Sequence, residues 1–256
     1  MSEKDRIIVI TAGGAYAWVI VNALASRFKN LEVLLEEPES KAIFLKRRAR
    51  KLGWLQTIGQ FGTMVISRFG KRFAGARSRQ IIAEHGIDPE PLKTLRLTRV
   101  TSANGDDCLD VIADRKPKLV VLVGCRMLIR PTLAAMPCPV INYHSGINPK
   151  YRGHIGGWCG RIIGDYASYV TTVHLVDPGV DTGDTLHQAF LTPHPRETLL
   201  TDSLAMAAGS RDMVVRTAED ALGGNLRPTP SSLPSVQRFH PPIWTYLATG
   251  LFKRIW

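Results

Sequence analysis

Residues 118–123 read KLVVLV, five aliphatic side chains in a row after one lysine. A strand with one wet face alternates apolar and polar residues. An unbroken run is apolar on both faces and belongs inside a parallel sheet covered from both sides. Working outward, strand character returns at Arg6–Ile10, Leu31–Leu35, Pro139–Tyr143, Tyr169–Val176 and Thr185–Leu191. Helical patterns stand between them: Ala15–Phe28, one or two helices in 41–79, Ser78–His85 stopped by Gly86, Asp106–Asp114 capped by Asn104, and Arg196–Ala221. This order predicts an α/β fold, an open, mostly parallel Rossmann-like sheet with helices on both faces. Ligands of such sheets sit beyond the carboxyl ends of the strands. Interest therefore falls on Thr11–Ala15, Gly124–Ile129, Asn142–Gly146 and Asp177–Gly183.

The 256 residues, 45% apolar and 21% charged, suit one α/β domain over 1–223. A Pro-rich arm, 224–256, follows and ends in IWTYLATGLFKRIW, which reads as a short aromatic amphipathic helix. No apolar run approaches the roughly 20 residues of a membrane-spanning helix. The opening MSEKDRIIVITAGG runs from charged residues into a strand, which is not a signal-peptide pattern. Cys108, Cys125, Cys138 and Cys159 form no C-x-x-C pair and no metal-ligand spacing. They read as reduced thiols, so a cytoplasmic protein without a metal site is expected.

Formal net charge is +11, and its distribution is uneven. Residues 41–79 hold eleven of the 33 Lys and Arg and none of the 22 Asp and Glu, leaving 22 basic against 22 acidic elsewhere. A generally basic nucleic-acid binder is thereby excluded. The same segment carries Ile43, Phe44, Trp54, Leu55, Ile58, Phe61 and Phe69, so it reads as amphipathic helix bent near Gly59 and Gly62. Its cations fit three uses: a solvated face, attraction of a phosphorylated substrate, or attachment to an anionic membrane surface.

TAGGAYAW, residues 11–18, does not match G-x-G-x-x-G, although Glu36 and Glu37 lie near the end of the second strand. Gly13 and Gly14 suit a tight turn between strand and helix; as a site, their N–H groups would meet an anionic group of the substrate. The segment Val140–Leu186 is richer. In VINYHSG, Asn142 and His144 share one face of a strand because side chains alternate. In the loop after VTTVHLV, Asp177 and Asp181 bring carboxylates. An amide that donates to an oxyanion, an imidazole that moves a proton and a carboxylate that orients it suit attack of an amine on a carbonyl carbon. Hydrogen-bonded strand-end residues without chemistry read equally well from the pattern. A serine hydrolase does not, since there is no G-x-S-x-G.

INYHSGINPKYRGHIGGW, followed by VTTVHLVDPGVDTGDTL, resembles the catalytic half of the folate-dependent formyltransferases. That family includes glycinamide ribonucleotide, methionyl-tRNA and sugar-nucleotide N-formyltransferases. The resemblance rests on Asn142-x-His144, Pro149–Gly153, Thr172-x-His174 and Asp181-x-Gly183, and spans Leu119–Gln188. It implies an enzyme that takes its formyl group from 10-formyltetrahydrofolate. Asn142 would hold the oxyanion, His144 would help proton transfer, and Asp181 would pair with His144. Gly124, Cys125, Arg126, Met127, Leu128 and Ile129 would grip the donor's pterin, with Asp177, Gly179 and Val180 closing the other side. Cys125 and Arg126 depart from the expected loop. His174 is expected as a buried structural histidine. Gly13, Gly14, Tyr151 and Arg152 are the candidate acceptor-binding residues.

The expected acceptor is a small phosphorylated amine such as an amino-sugar nucleotide, met by the cationic helices. The stretch after Gly223 is too short for a tRNA-holding domain, so nucleic acid is not expected. TAGGAYAW lacks the phosphate loop of a glycinamide ribonucleotide enzyme, which stays as the alternative. A formyltransferase-like binding protein without chemistry is the non-enzymatic alternative. Peripheral association with the inner membrane surface through 41–79 and the C-terminal helix, and a homodimer, complete the expectations.

Overall fold

Strands buried on both faces build the centre of the molecule. The computed structural model describes residues 5–153 and 155–256, with backbone alone for Arg68, Lys71, Arg72 and Phe73. The first four residues, His154, and those four side chains, three of them cations counted above, lie outside the described residues. Among the described residues seven strands form one sheet: β1 (Ile7–Thr11), β2 (Leu31–Glu36), β3 (Arg96–Val100), β4 (Leu119–Val123), β5 (Val140–His144), β6 (Val170–Leu175) and β7 (Thr185–Phe190). The order is β3-β2-β1-β4-β5-β6-β7; the first five are parallel, and β6 and β7 add antiparallel. Helices α1 (Ala15–Arg27), α2 (Lys41–Leu52), α3 (Trp54–His85), α4 (Asp106–Arg115), α5 (Arg130–Ala134), α6 (Gly156–Ile162), α7 (Asp202–Leu222) and α8 (Ile243–Lys253) surround it.

Both faces of β1 and β4 are buried. Ile7, Val9, Val121 and Val123 pack with Ile20 and Leu24 of α1 and Val214 of α7. Ile8, Ile10, Val120 and Leu122 pack with Cys108 and Ile112 of α4. Each such side chain contributes roughly 1.5–3 kcal/mol of transfer free energy. The chain leaves β1 toward β2 on one side and reaches β4 on the other. That reversal opens a crevice at the carboxyl ends of β1 and β4.

Several expectations are corrected. The bend in the cationic segment falls at Gly53, whose φ of +81° ends α2, and not at Gly59 or Gly62. Those two lie inside α3, where the missing side chain admits the arm. A Cβ on Gly59 would come within 2.5 Å of the Trp244 ring, and one on Gly62 within 3.3 Å of Ile243. Ser78–His85 is the end of α3 rather than a separate helix. β3 was not anticipated, because RLTRV is an exposed edge strand with two arginines. Asn104 does not cap α4; Gly105 precedes it, and the Asn104 amide is used elsewhere. α7 starts at Asp202 rather than Arg196, because Glu197 is drawn into a buried ion pair with Arg77 of α3, at 2.6 Å.

Arg161 of α6 extends this network. It donates to the Glu197 carbonyl at 2.9 Å and to Asp202 Oδ1 at 3.1 Å. Burial pushes the Asp202 carboxyl up to about 7 even though Arg161 pulls it down, and its Oδ2 has no partner. The arm packs on a third cluster, with Tyr246 and Ile255 against Tyr151 and Trp158. Among the described residues, no helix is long and apolar enough to cross a membrane.

Candidate active site

The antiparallel pairing of β5 with β6 sets Asn142 opposite His174 and His144 opposite Thr172. Asn142 and His144 point to one side; Tyr143 points to the other, where its hydroxyl meets Ser210 at 3.1 Å. Asp181 comes from the loop between β6 and β7, with a left-handed φ of +49°. Its Oδ1 accepts from Asn142 Nδ2 at 3.1 Å and lies 3.5 Å from His174 Nε2. Its Oδ2 accepts from the Gly153 N–H at 3.0 Å and lies 3.8 Å from His144 Nδ1. Three side chains and one backbone N–H, from β5, β6 and the loop at Gly153, therefore converge on one carboxylate.

Carbonyl partners fix both imidazoles. The His144 Nε2 is 2.9 Å from the Tyr151 carbonyl, which can only accept, so Nε2 carries the proton and Nδ1 turns toward Asp181. His174 Nδ1 donates to the Leu175 carbonyl at 2.7 Å, which leaves its Nε2 to accept from Asn142 Nδ2 at 3.0 Å. Gly146 permits the first arrangement: a Cβ there would lie 2.5 Å from His144 Nε2 and 2.9 Å from the Tyr151 carbonyl. Burial alone would raise the Asp181 carboxyl. The adjoining His144 and His174 rings and the Gly153 N–H outweigh it and hold the carboxyl well below the usual carboxylate range. The carboxylate is thus a permanent anion beside two imidazoles.

This cluster borders a cleft of about 700 Å³. Gly124, Cys125, Arg126, Met127, Leu128 and Ile129 line one side, and Asp177, Gly179 and Val180 another. The 124–129 loop is held by two devices. Buried Glu36, at the end of β2, accepts from the Arg126 N–H at 2.9 Å, from its guanidinium at 3.1 Å and from the Ala103 N–H at 2.7 Å. The Asn104 amide donates to the Met127 carbonyl and accepts from the Ile129 N–H, both at 2.9 Å. Arg126 is therefore a strut, and Glu36 is spent on backbone rather than offered to a ribose. Burial, with Glu36 nearby, pushes the Cys125 thiol far up and keeps it a protonated thiol.

Gly13, Gly14, Tyr151 and Arg152 do not line this cleft. The Gly13 N–H donates to Thr11 Oγ1 at 3.0 Å, and the turn packs on Trp18. The Tyr151 hydroxyl donates to Asp165 at 2.6 Å, and its carbonyl holds His144. Arg152 donates to the Val180 carbonyl at 2.9 Å and braces the Asp181 loop. The cleft is lined instead by Phe44, Arg47, Arg48 and Lys51 of α2, from the cationic segment, and by Gln237, Arg238 and Phe239 of the arm, which the sequence reading did not single out. The cationic character of α2 was the available signal; for the arm there was none. His174 touches both Asn142 and Asp181, closer to the cluster than a structural histidine needs to be.

A mostly parallel sheet with a polar cluster and a deep cleft at its switch point defines an α/β protein of the ligand-binding, doubly wound kind. Residues 64–208 match the family described as formyl transferase, and the chain belongs to that family. A relative is the methionyl-tRNA formyltransferase of Desulfotalea psychrophila, 32% identical over 159 residues, which are 62% of this chain and 46% of that protein. The chain spans about half the length of the first curated relatives it matches. The fold resembles a 4-N formyltransferase from Francisella tularensis (TM-score 0.57, 13% identity, 93% of this chain and 77% of that one). It also resembles an N-formyltransferase from Helicobacter canadensis solved with folinic acid and dTDP-3-aminofucose (TM-score 0.56, 10% identity, 91% and 70%).

Proposed function

We propose that the chain transfers a formyl group from 10-formyltetrahydrofolate to the amine of a small phosphorylated acceptor, such as an amino-sugar nucleotide, in the cytoplasm. The observation that carries this reading is the Asn142–His144–Asp181–His174 cluster at one end of a cleft walled by an apolar loop and a cationic helix. The cleft residues fit the donor: Leu122, Met127, Leu128, Ile129 and Val176 offer apolar surface for a flat ring. Bound there, the donor supplies a formyl carbon on a nitrogen that can leave.

The protein's part follows from the hydrogen bonds. Asn142 Nδ2 is the donor nearest the imidazoles; releasing one N–H from Asp181 or His174 directs it at an oxyanion. His144 Nδ1 takes the proton of the attacking amine, while its Nε2–H stays on the Tyr151 carbonyl. Asp181, itself unprotonated, stabilises the resulting positive ring across 3.8 Å, and the proton passes from the ring through water to the departing nitrogen of the donor. Arg48 and Lys51 of α2, with Arg238 of the arm, suit the phosphates of the acceptor.

The curated relatives favour a second reading, in which the amine belongs to methionyl-tRNA. One experiment separates the two. The chain is incubated with the donor and, in parallel, amino-sugar nucleotides, glycinamide ribonucleotide or methionyl-tRNA, and products are read by mass spectrometry. Formylation of an amino-sugar nucleotide is expected. Formylation of methionyl-tRNA alone would replace the acceptor, and no formylation of any amine would leave a binding protein.

A further inference from the structure

The first half of α3 is amphipathic in the wrong sense for a helix on a soluble domain. Its outward stripe is Trp54, Leu55, Ile58, Phe61, Val65 and Phe69, with Leu55 73% and Phe69 80% exposed. Its inward side is Thr57, Gln60, Thr63 and Ser67, all buried. The inward polar groups are satisfied: Thr63 Oγ1 donates to the Pro241 carbonyl at 2.8 Å, and Gln60 Oε1 accepts from Arg48 at 3.0 Å. Apolar residues at this spacing normally face the core. Here the core side is polar and hydrogen-bonded, so the helix is seated as intended with its apolar side outward.

α8 buries Tyr246 in the third core cluster and still turns other apolar side chains outward. It packs on α3 through Trp244 and Ile243 at Gly59 and Gly62, buries Thr249 and Gly250, and exposes Leu251 and Phe252, the latter 85%. Both helices thus expose several large apolar side chains, more than singly scattered surface residues account for. The charge around them is one-sided. Residues 41–79 contain no Asp or Glu, and neither does 243–256. Lys46 and Arg50 of α2 and Lys253 and Arg254 at the end of α8 are exposed.

We infer that the α3–α8 surface docks on an anionic lipid surface, with the apolar stripe in the headgroup–acyl boundary and the α2 and α8 cations on the headgroups. Charge complementarity selects this occupant. A second copy of the chain would bring two unbalanced cationic faces together, whereas an anionic bilayer neutralises them and receives the apolar stripe at once. Exposed Trp54, Phe69, Trp244 and Phe252 are side chains suited to that boundary. Since α2 also walls the cleft, a docked chain holds the cleft beside the headgroups.

The test is flotation of the full chain with vesicles of phosphatidylcholine alone and of phosphatidylcholine with roughly one third phosphatidylglycerol, at low and high salt. Two double variants are compared: Leu55→Glu with Phe69→Glu, and Lys46→Glu with Arg50→Glu. All four side chains are exposed, so melting temperatures should match the parent. Expected is flotation with the anionic vesicles only, falling with salt, and at least a tenfold lower partition for each variant. Absence of flotation at low salt, or variants that float like the parent, would overturn the inference. So would a lipid-free dimer at equilibrium sedimentation that Leu55→Glu with Phe69→Glu dissociates, since the stripe would then be covered by a second copy.

Discussion

Replacing Asp181 by Asn keeps the size of the side chain and removes one negative charge 3.8 Å from His144 Nδ1. At an effective dielectric constant near 20, an ion pair at that distance is worth ~4 kcal/mol. If the imidazole becomes positive as it takes the amine proton, most of that stabilisation is lost in the transition state, which is about a thousandfold in rate. Asn retains one acceptor, so it cannot serve both Asn142 Nδ2 and the Gly153 N–H as the carboxylate does. The assay is single-turnover formyl transfer under saturating donor, with donor affinity measured by fluorescence and folding by thermal melting. The expected result is a fall of about 10²–10³ in the transfer rate with donor affinity within a few-fold of the parent. A variant that melts normally and transfers within tenfold of the parent would refute the reasoning, because the charge would then have no part in the barrier.

Three further outcomes are expected. Asn142→Ala should lower turnover by roughly 10²–10³-fold, and His144→Ala combined with Asp181→Ala should cost far less than the product of the single losses, measured by the same assay. Asp202 binds its proton more tightly folded, near 7, than unfolded, near 3.9, so its contribution to stability is full below about pH 4 and is lost as pH rises through about 7, on the order of a few kcal/mol; denaturant melts of Asp202→Asn should lack that loss. Gly59→Val should force Trp244 and Pro242 off α3, cost roughly 1–3 kcal/mol in denaturant melts, and weaken transfer by displacing Gln237–Phe239 from the cleft.

The parts of the fold that burial dictates were legible. KLVVLV and its neighbours are apolar on both faces because the sheet is covered on both faces, and period two put Asn142 and His144 on one side. Elements whose residues answer to tertiary partners were not. β3 is an edge strand, so RLTRV needs no apolar pattern. Gly59 and Gly62 look like helix breaks, yet both are contacts for the arm, while the true break depends on the positive φ of Gly53. Asn104 stands where a cap would, but its amide instead holds the 124–129 loop through Met127 and Ile129. His174 reaches the cluster only because β6 runs antiparallel to β5 and sets it opposite Asn142, a pairing that local pattern does not encode. The arm's place beside the cleft is likewise a product of long-range packing on Tyr151 and Trp158.

The most direct measurement follows an isotope-labelled formyl carbon from 10-formyltetrahydrofolate to the acceptor amine by mass spectrometry, with the parent chain and Asn142→Ala side by side. The account predicts label on the amine with the parent, and roughly 10²–10³-fold slower labelling with Asn142→Ala at unchanged donor binding. Label that stays on the donor with every amine, or moves equally fast with both proteins, would contradict it.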